Sequence, residues 1–266
     1  VSDQGFPATE IDTSRPHPAR MYDYFLGGKD NYEVDRDAAD RVLDVVPDVV
    51  RMARANRDFL RRAVQYLVED GIRQIIDIGT GIPTSPNTHE VAHAVSPDVR
   101  VAYIDNDPIV ATHAGARLLG AANTGFFLAD MRDPQSILEH PTISALIDFE
   151  QPVAVMLVSV LHFMTDAEDP AGMIATLRAA LPEGSRLVVS HATADFHGNL
   201  SAEVAEVYQK ATASLTPRSH ADVLRLFEGF ELVDPGLVQV HHWRPETEPD
   251  EDEEPVGVYG AVARKI

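Results

Sequence analysis

The chain has 266 residues, 44% of them apolar, enough to bury one large core without disulfides. Cysteine is absent, which excludes a disulfide scaffold, a thiolate zinc site and a Cys nucleophile. With 42 Asp and Glu against 22 Lys and Arg, the field repels phosphate backbones and anionic membranes but tolerates a cationic ligand. The clearest apolar runs, Val153 to Val158 and Leu187 to Val189, are strand length or shorter, so no membrane span is expected. These features predict a soluble, cytoplasmic protein with no nucleic-acid partner, and they leave its oligomeric state open.

Residues Val1 to Pro18 contain three prolines and read as an arm. Helical spacing then carries Met21, Tyr22, Phe25 and Leu26 until Gly27-Gly28 stop it. A second helix is expected from Val34 to Val46, and a third after Pro47, closed by Asp70-Gly71. Strands and helices alternate from there. Strands are expected at Gln74 to Ile78, Val99 to Ile104, Gly125 to Leu128, Pro152 to Ser159 and Ser185 to His191. Helices fall between them at Thr88 to Val95, Pro108 to Leu119, Pro134 to His140 and Pro170 to Ala180. Such alternation implies a parallel sheet covered on both faces. Ser201 to Leu215 and Ser219 to Leu226 read as helical. The tail supplies two strands, Leu237 to Trp243 and Val256 to Arg264, expected to pair antiparallel across an acidic loop. Residues 1–70 thus form an arm and helical cap, and 71–266 a core, joined as one unit.

The strongest local signal is Ile75-Ile76-Asp77-Ile78-Gly79-Thr80-Gly81-Ile82-Pro83. An apolar strand runs into two glycines at alternate positions, where the backbone can turn sharply and a ligand can approach without a Cβ in its way. An ordinary tight turn would use one such pair as readily. Thr84 stands where a dinucleotide fingerprint has its third glycine, which weighs against a pyrophosphate cofactor. The second strand ends in Tyr103-Ile104-Asp105, where an acid can accept both ribose hydroxyl protons, and the third in Leu128-Ala129-Asp130-Met131, where acid and thioether can meet an adenine. Asp107 and Asp133 each precede a proline and read as helix caps.

The order of these signals resembles class I S-adenosylmethionine-dependent methyltransferases. In detail the chain resembles one bacterial family of them, formerly a domain of unknown function and now called S-adenosyl methyltransferase. The resemblance rests on Ala19-Arg20-Met21-Tyr22-Asp23-Tyr24-Phe25-Leu26-Gly27-Gly28-Lys29-Asp30-Asn31-Tyr32, on Asp77 to Thr84, on Tyr103 to Pro108 and on Trp243-Arg244-Pro245. It implies a Rossmann-like α/β fold: a mostly parallel seven-stranded sheet with an antiparallel C-terminal hairpin and an N-terminal helical cap. It also implies S-adenosylmethionine as cofactor and S-adenosylhomocysteine as product. By motif position Asp77, Gly79, Thr80 and Gly81 would line the methionine and ribose portions, with Ser159 beyond the fourth strand. Asp105 and Asn106 would hold the ribose, and Asp130 and Met131 the adenine.

The cap is expected to lid this pocket through Arg20, Tyr22, Gly28 and Asn31, with Arg20 or Lys29 available to the methionine carboxylate. Methyl transfer needs alignment, water exclusion and, for some acceptors, a base. His162 and His191, at the ends of the fourth and fifth strands, are the candidate bases, although each reads as readily as a packing residue. Phe196, His197, Tyr208 and Arg218 lie in a long connection suited to holding a small-molecule acceptor. The histidines form no defensible metal pattern. A noncatalytic module that senses S-adenosylmethionine or S-adenosylhomocysteine, and a nicotinamide oxidoreductase, are the competing readings.

Overall fold

Three helices precede the first strand in the computed structural model, which describes residues 12–117, 121–196, 202–247 and 254–266. α1 (Pro18–Phe25) starts on His17, whose ring accepts the Ala19 N–H, and has proline at its first position, where a missing N–H costs nothing. The Asp35 carboxylate accepts the Tyr32 N–H and closes the N-terminus of α2 (Glu33–Val45). α3 (Val49–Glu69) turns Phe59, Leu60, Ala63, Val64 and Leu67 inward as one stripe. It stops at Asp70, before Gly71 at φ +94°.

The core continues with β1 (Gln74–Ile78), α4 (Thr88–Val95), β2 (Arg100–Asp105), α5 (Pro108–Arg117), β3 (Thr124–Leu128), α6 (Pro134–Leu138) and α7 (Pro141–Leu146). Then come β4 (Ala154–Val158), α8 (Pro170–Ala180), β5 (Arg186–Ala192), α9 (Ala202–Gln209), α10 (His220–Arg225), β6 (Phe230–Leu232), β7 (Val238–Gln239) and β8 (Val258–Lys265). The sheet runs β3-β2-β1-β4-β5-β8-β6, with β7 also on β8. The first five strands are mutually parallel, and β8 is antiparallel to β5, β6 and β7. Strand order reverses between β1 and β4, and the crevice at that switch point opens at their carboxyl ends. One apolar cluster joins the sheet to the cap helices and α4, and a second fills the opposite face.

Three expectations need correction. Among the described residues the sheet has eight strands, because Phe230–Leu232 forms a short strand that three residues interrupted by Glu231 hardly announce. The expected strand Leu237 to Trp243 pairs only at Val238 and Gln239, and then turns as a 3-10 helix over Val240–His242. That turn carries Trp243 out of the sheet and into the core, edge-on to Phe59 at 5.5 Å and to Tyr66 at 5.8 Å. The expected helix from Pro134 to His140 ends at Leu138, and a separate helix begins at Pro141 with the His140 ring as its cap. Helix ends at Leu119 and Ser201 lie outside the described residues.

Trp243 is fully buried, and Arg62 grips the carbonyls of Trp243 and Val240 from α3. Trp243→Ala should cost about 3–5 kcal/mol of unfolding free energy in urea titrations, the range for emptying an aromatic site that cannot collapse. A loss below about 1 kcal/mol would show that the indole anchors nothing.

Candidate functional site

A cavity of about 430 Å³ lies over the carboxyl ends of β1, β2 and β4 and under the cap helices. Gly79 and Gly81, at φ +72° and +68°, shape its floor. A Cβ on Gly79 would overlap the Val160 side chain, whereas one on Gly81 would meet nothing, so the backbone there faces open space. Ser159, itself left-handed at φ +55°, caps β4 at the opposite wall.

The strand-end acids are buried. Asp77 accepts the Thr88 hydroxyl at 2.7 Å; Asp105 accepts Gly81 N–H at 2.8 Å and Asp107 N–H at 2.9 Å. Burial pushes both carboxyls up to about 6, more than these donors pull them down. Asp107 accepts Ile109 N–H with one oxygen, while its other oxygen, buried, has no hydrogen-bond partner among the described residues. The His17 Nδ1 stands 3.1 Å from that oxygen, but in the neutral ring this nitrogen already accepts Ala19 N–H, and burial lowers the His17 pKa. The open Asp107 oxygen and the remaining lone pairs of Asp77 and Asp105 can take donors from the cavity, and S-adenosylmethionine offers ribose hydroxyls, an adenine amino group and an ammonium. Ile82, Ala129 and Met131 supply apolar walls for a base. The donor set and the open glycine turn fit that cofactor.

A chain of hydrogen bonds ties the cap to the sheet. Tyr22 of α1 donates to the Ala53 carbonyl at 3.0 Å, and Asn56 of α3 donates to the Tyr22 hydroxyl at 2.9 Å. The Ser190 hydroxyl of β5 donates to Asn56 at 2.6 Å and accepts the Ser159 N–H at 2.9 Å. Arg57, one residue on, lines the cavity and donates to the carbonyls of Thr84 and Pro86.

The cavity brings together Arg20, Tyr22, Asp77, Gly79, Thr80, Gly81, Asp105, Asn106, Met131, Ser159, His162 and Tyr208. Arg20 is buried, 3.3 Å from Asp35, and donates to the carbonyls of Asp12 and Arg15, so its charge is largely spent within the cap. Lys29 is exposed and does not line the cavity. Gly28 and Asn31 stand behind it and shape Asp23: Asn31 donates to that carboxylate at 2.8 Å, and a Cβ on Gly28 would overlap it. Asp130, half-exposed, pairs with Arg132.

His191 is fully buried outside the cavity. Its Nε2 accepts from Arg218 at 2.9 Å, its Nδ1 donates to the Ala192 carbonyl, and burial lowers its pKa to about 4. Arg218 is clamped there by the Leu161 and Met164 carbonyls and by Asp166. Phe196 packs on Tyr259 away from the cavity, and His197 lies outside the described residues. Asn56, Arg57 and Asp23 were missed by sequence reasoning. Asn56 interrupts the apolar stripe of α3 between Met52 and Phe59, a polar residue at a core position, and that was the available signal.

A mostly parallel sheet with a glycine turn, acids at successive strand ends and an antiparallel tail defines a class I methyltransferase, and the protein is an S-adenosylmethionine-dependent enzyme of that class. The chain belongs to the S-adenosyl methyltransferase family, whose model it matches over residues 4–266. It is similar to a DUF574 family protein from Streptomyces avermitilis MA-4680 at 45% identity, with 96% of this chain and 100% of that one covered and a TM-score of 0.92. A protein from Thermobifida fusca YX is similar at 39% identity, 98% of both chains and a TM-score of 0.91. Human N-acetylserotonin methyltransferase in complex with SAM shares the fold alone, at 14% identity, 93% of this chain, 63% of that one and a TM-score of 0.50. No curated protein matches the sequence.

The raised carboxyls set a pH dependence. With the folded pKa near 6 and the unfolded near 4, the native state binds more protons in between, so stability falls as pH rises through this window. Asp105→Asn removes one such group. Its urea unfolding free energy, relative to wild type, should gain up to about 3 kcal/mol between pH 4 and pH 7. A flat difference would show that Asp105 is no acid under strain.

Proposed function

We propose that the chain binds S-adenosylmethionine in this cavity and transfers its methyl group to a small-molecule acceptor in the cytoplasm. The observation that carries this reading is the set of buried carboxylates Asp77, Asp105 and Asp107 that line the cavity around a glycine turn open to it. Asp105 and Asn106 would hold the ribose, and Met131 and Asp130 the adenine. Asp77, Gly79, Thr80, Gly81 and Ser159 would line the amino-acid end. Arg57, rather than Arg20 or Lys29, would face the carboxylate. The acidic surface supports a small acceptor over a nucleic acid.

When bound, S-adenosylmethionine supplies a methyl carbon already activated by its sulfonium. What remains for the protein is to align the acceptor and exclude water. Tyr22, Asn56 and Ser190 fix Ser159 and the β4 end. The described part of the cap, residues 12–70, roofs the cavity, and the cap, 1–70, would work with the core, 71–266, as one unit. Gly28 and Asn31 serve it indirectly by orienting Asp23. His162 touches the cavity, whereas His191 and Arg218 brace the wall behind it.

Calorimetry tests the assignment. The full chain should bind S-adenosylhomocysteine one to one and show no heat with NAD, and Asp105→Ala should weaken binding at least about tenfold, the loss of charge-assisted hydrogen bonds. Preferential binding of NAD would overturn it. Incubation with methyl-labelled S-adenosylmethionine and a small-molecule extract then reads out the acceptor by mass.

A further inference from the structure

Beyond the residues assigned to the cofactor, the cavity extends between α1, α2, α3 and α9. That portion is apolar, walled by Phe25, Val42, Val46, Met52, Leu60 and Val204. Two polar groups that line it have no partner within the described residues. The Tyr208 hydroxyl, on a side chain only 8% exposed, has no hydrogen-bond partner among the described residues. His162, 7% exposed, has its Nδ1 occupied as acceptor of the Ala192 N–H, which leaves the proton on Nε2. That Nε2–H has no acceptor among the described residues. Phe163 packs against both side chains, 4.4 Å from the His162 ring and 5.7 Å from the Tyr208 ring. Both groups line the cavity, so each is open to a polar atom of a ligand, and an apolar ligand that covered them without pairing them would bind less well.

Charge narrows the ligand further. The guanidiniums that line the cavity are committed elsewhere: Arg20 to Asp35 and two carbonyls, Arg132 to Asp130 and Glu168, and Arg57 to the Thr84 and Pro86 carbonyls and, in the reading above, to the carboxylate of the cofactor. Burial holds the His162 pKa well below its ordinary value, with His191 and Arg218 adding to this, so the ring is neutral at pH 7. Burial likewise raises the Tyr208 phenol. No free cation is therefore offered to an anionic acceptor in this portion, among the described residues. A neutral His162 that can only donate requires an acceptor atom opposite it, which an ammonium cannot be.

Resting on the cofactor site assigned above, we propose that this apolar chamber takes the methyl acceptor, and that the acceptor is an uncharged ring compound carrying a hydroxyl or carbonyl oxygen that accepts from His162 Nε2–H, with the Tyr208 hydroxyl a second polar partner in the same chamber. Aromatic walls at Phe25, Phe163 and Tyr208 suit a ring. His162 is then a hydrogen-bond donor to the acceptor oxygen and not a base toward it. The constraint that makes it so is the Ala192 N–H, a backbone donor that cannot reverse its role.

The test uses the full chain saturated with S-adenosylhomocysteine and three probes, 2-naphthol, naphthalene and 2-naphthoate, titrated by NMR at pH 7.5. The expected order is 2-naphthol first, with 2-naphthoate at least about tenfold weaker and naphthalene between them. Tyr208→Phe should weaken 2-naphthol about three- to tenfold while S-adenosylhomocysteine affinity stays within about twofold. His162→Asn, which keeps an acceptor for the Ala192 N–H but loses the ring donor, should do the same. Equal or tighter binding of 2-naphthoate, unchanged 2-naphthol affinity in both variants, or no uptake of 2-naphthol by the loaded chain each overturn the acceptor assignment alone. A wild-type chain that takes up no S-adenosylhomocysteine overturns the cofactor reading, and this one with it.

Discussion

The buried hydrogen-bond chain Tyr22–Asn56–Ser190–Ser159 is the constraint on which the site depends. Each member sits on a different element: α1, α3, β5 and the turn after β4. Apolar packing alone would hold the cap against the sheet at no particular register, because contact area carries little direction. Hydrogen bonds do carry it. With Ser190 satisfied only when Asn56 is in place, and Asn56 only when Tyr22 is, the roof and floor of the cavity are fixed relative to each other. The left-handed backbone at Ser159 is held by the same bonds, so a strained residue at the cavity wall is supported by groups three elements away.

The cavity is a place of deliberate electrostatic deficit. Asp77, Asp105 and Asp107 are placed where water is scarce, and one Asp107 oxygen has no donor among the described residues. Arg20 is near enough to Asp107, at 4.0 Å, to temper that charge but is occupied with Asp35. Behind the wall the opposite arrangement holds: Arg218, Asp166, His191 and two carbonyls satisfy one another completely. The contrast separates groups that await a ligand from groups that hold the frame.

Most of the architecture was legible because α/β folds write their period and their caps into local sequence. Pro170 and the run to Ala180 marked α8, and the five parallel strands fell where apolar runs meet turn residues. The glycine turn and the strand-end acids were legible because their chemistry requires them at fixed offsets. What was not legible depends on tertiary partners. Trp243 leaves its strand to reach Phe59, a contact 184 residues away in sequence that no local pattern encodes. In sequence Arg218 reads as a substrate contact and His191 as a candidate base, and only their mutual contact shows them facing away from the cavity. Asn56 and Arg57 lie on a helix whose apolar stripe dominates its reading, so their inward role appears only once α3 is set against β5 and the glycine turn.

The divided edge beyond β8 has a consequence for the protein's behaviour in crowded solution. An edge strand with a continuous row of free N–H and C=O groups invites a second chain to extend the sheet. Here that row is cut in two, three residues of β6 and two of β7, separated by Asp234-Pro235-Gly236 with Gly236 at φ +88°. Proline removes a donor and the glycine bends the chain away, so neither piece offers the five or six aligned residues that an adhering strand requires. The irregular tail is in this sense a guard against polymerisation, secured by the same departure from regular structure that buries Trp243.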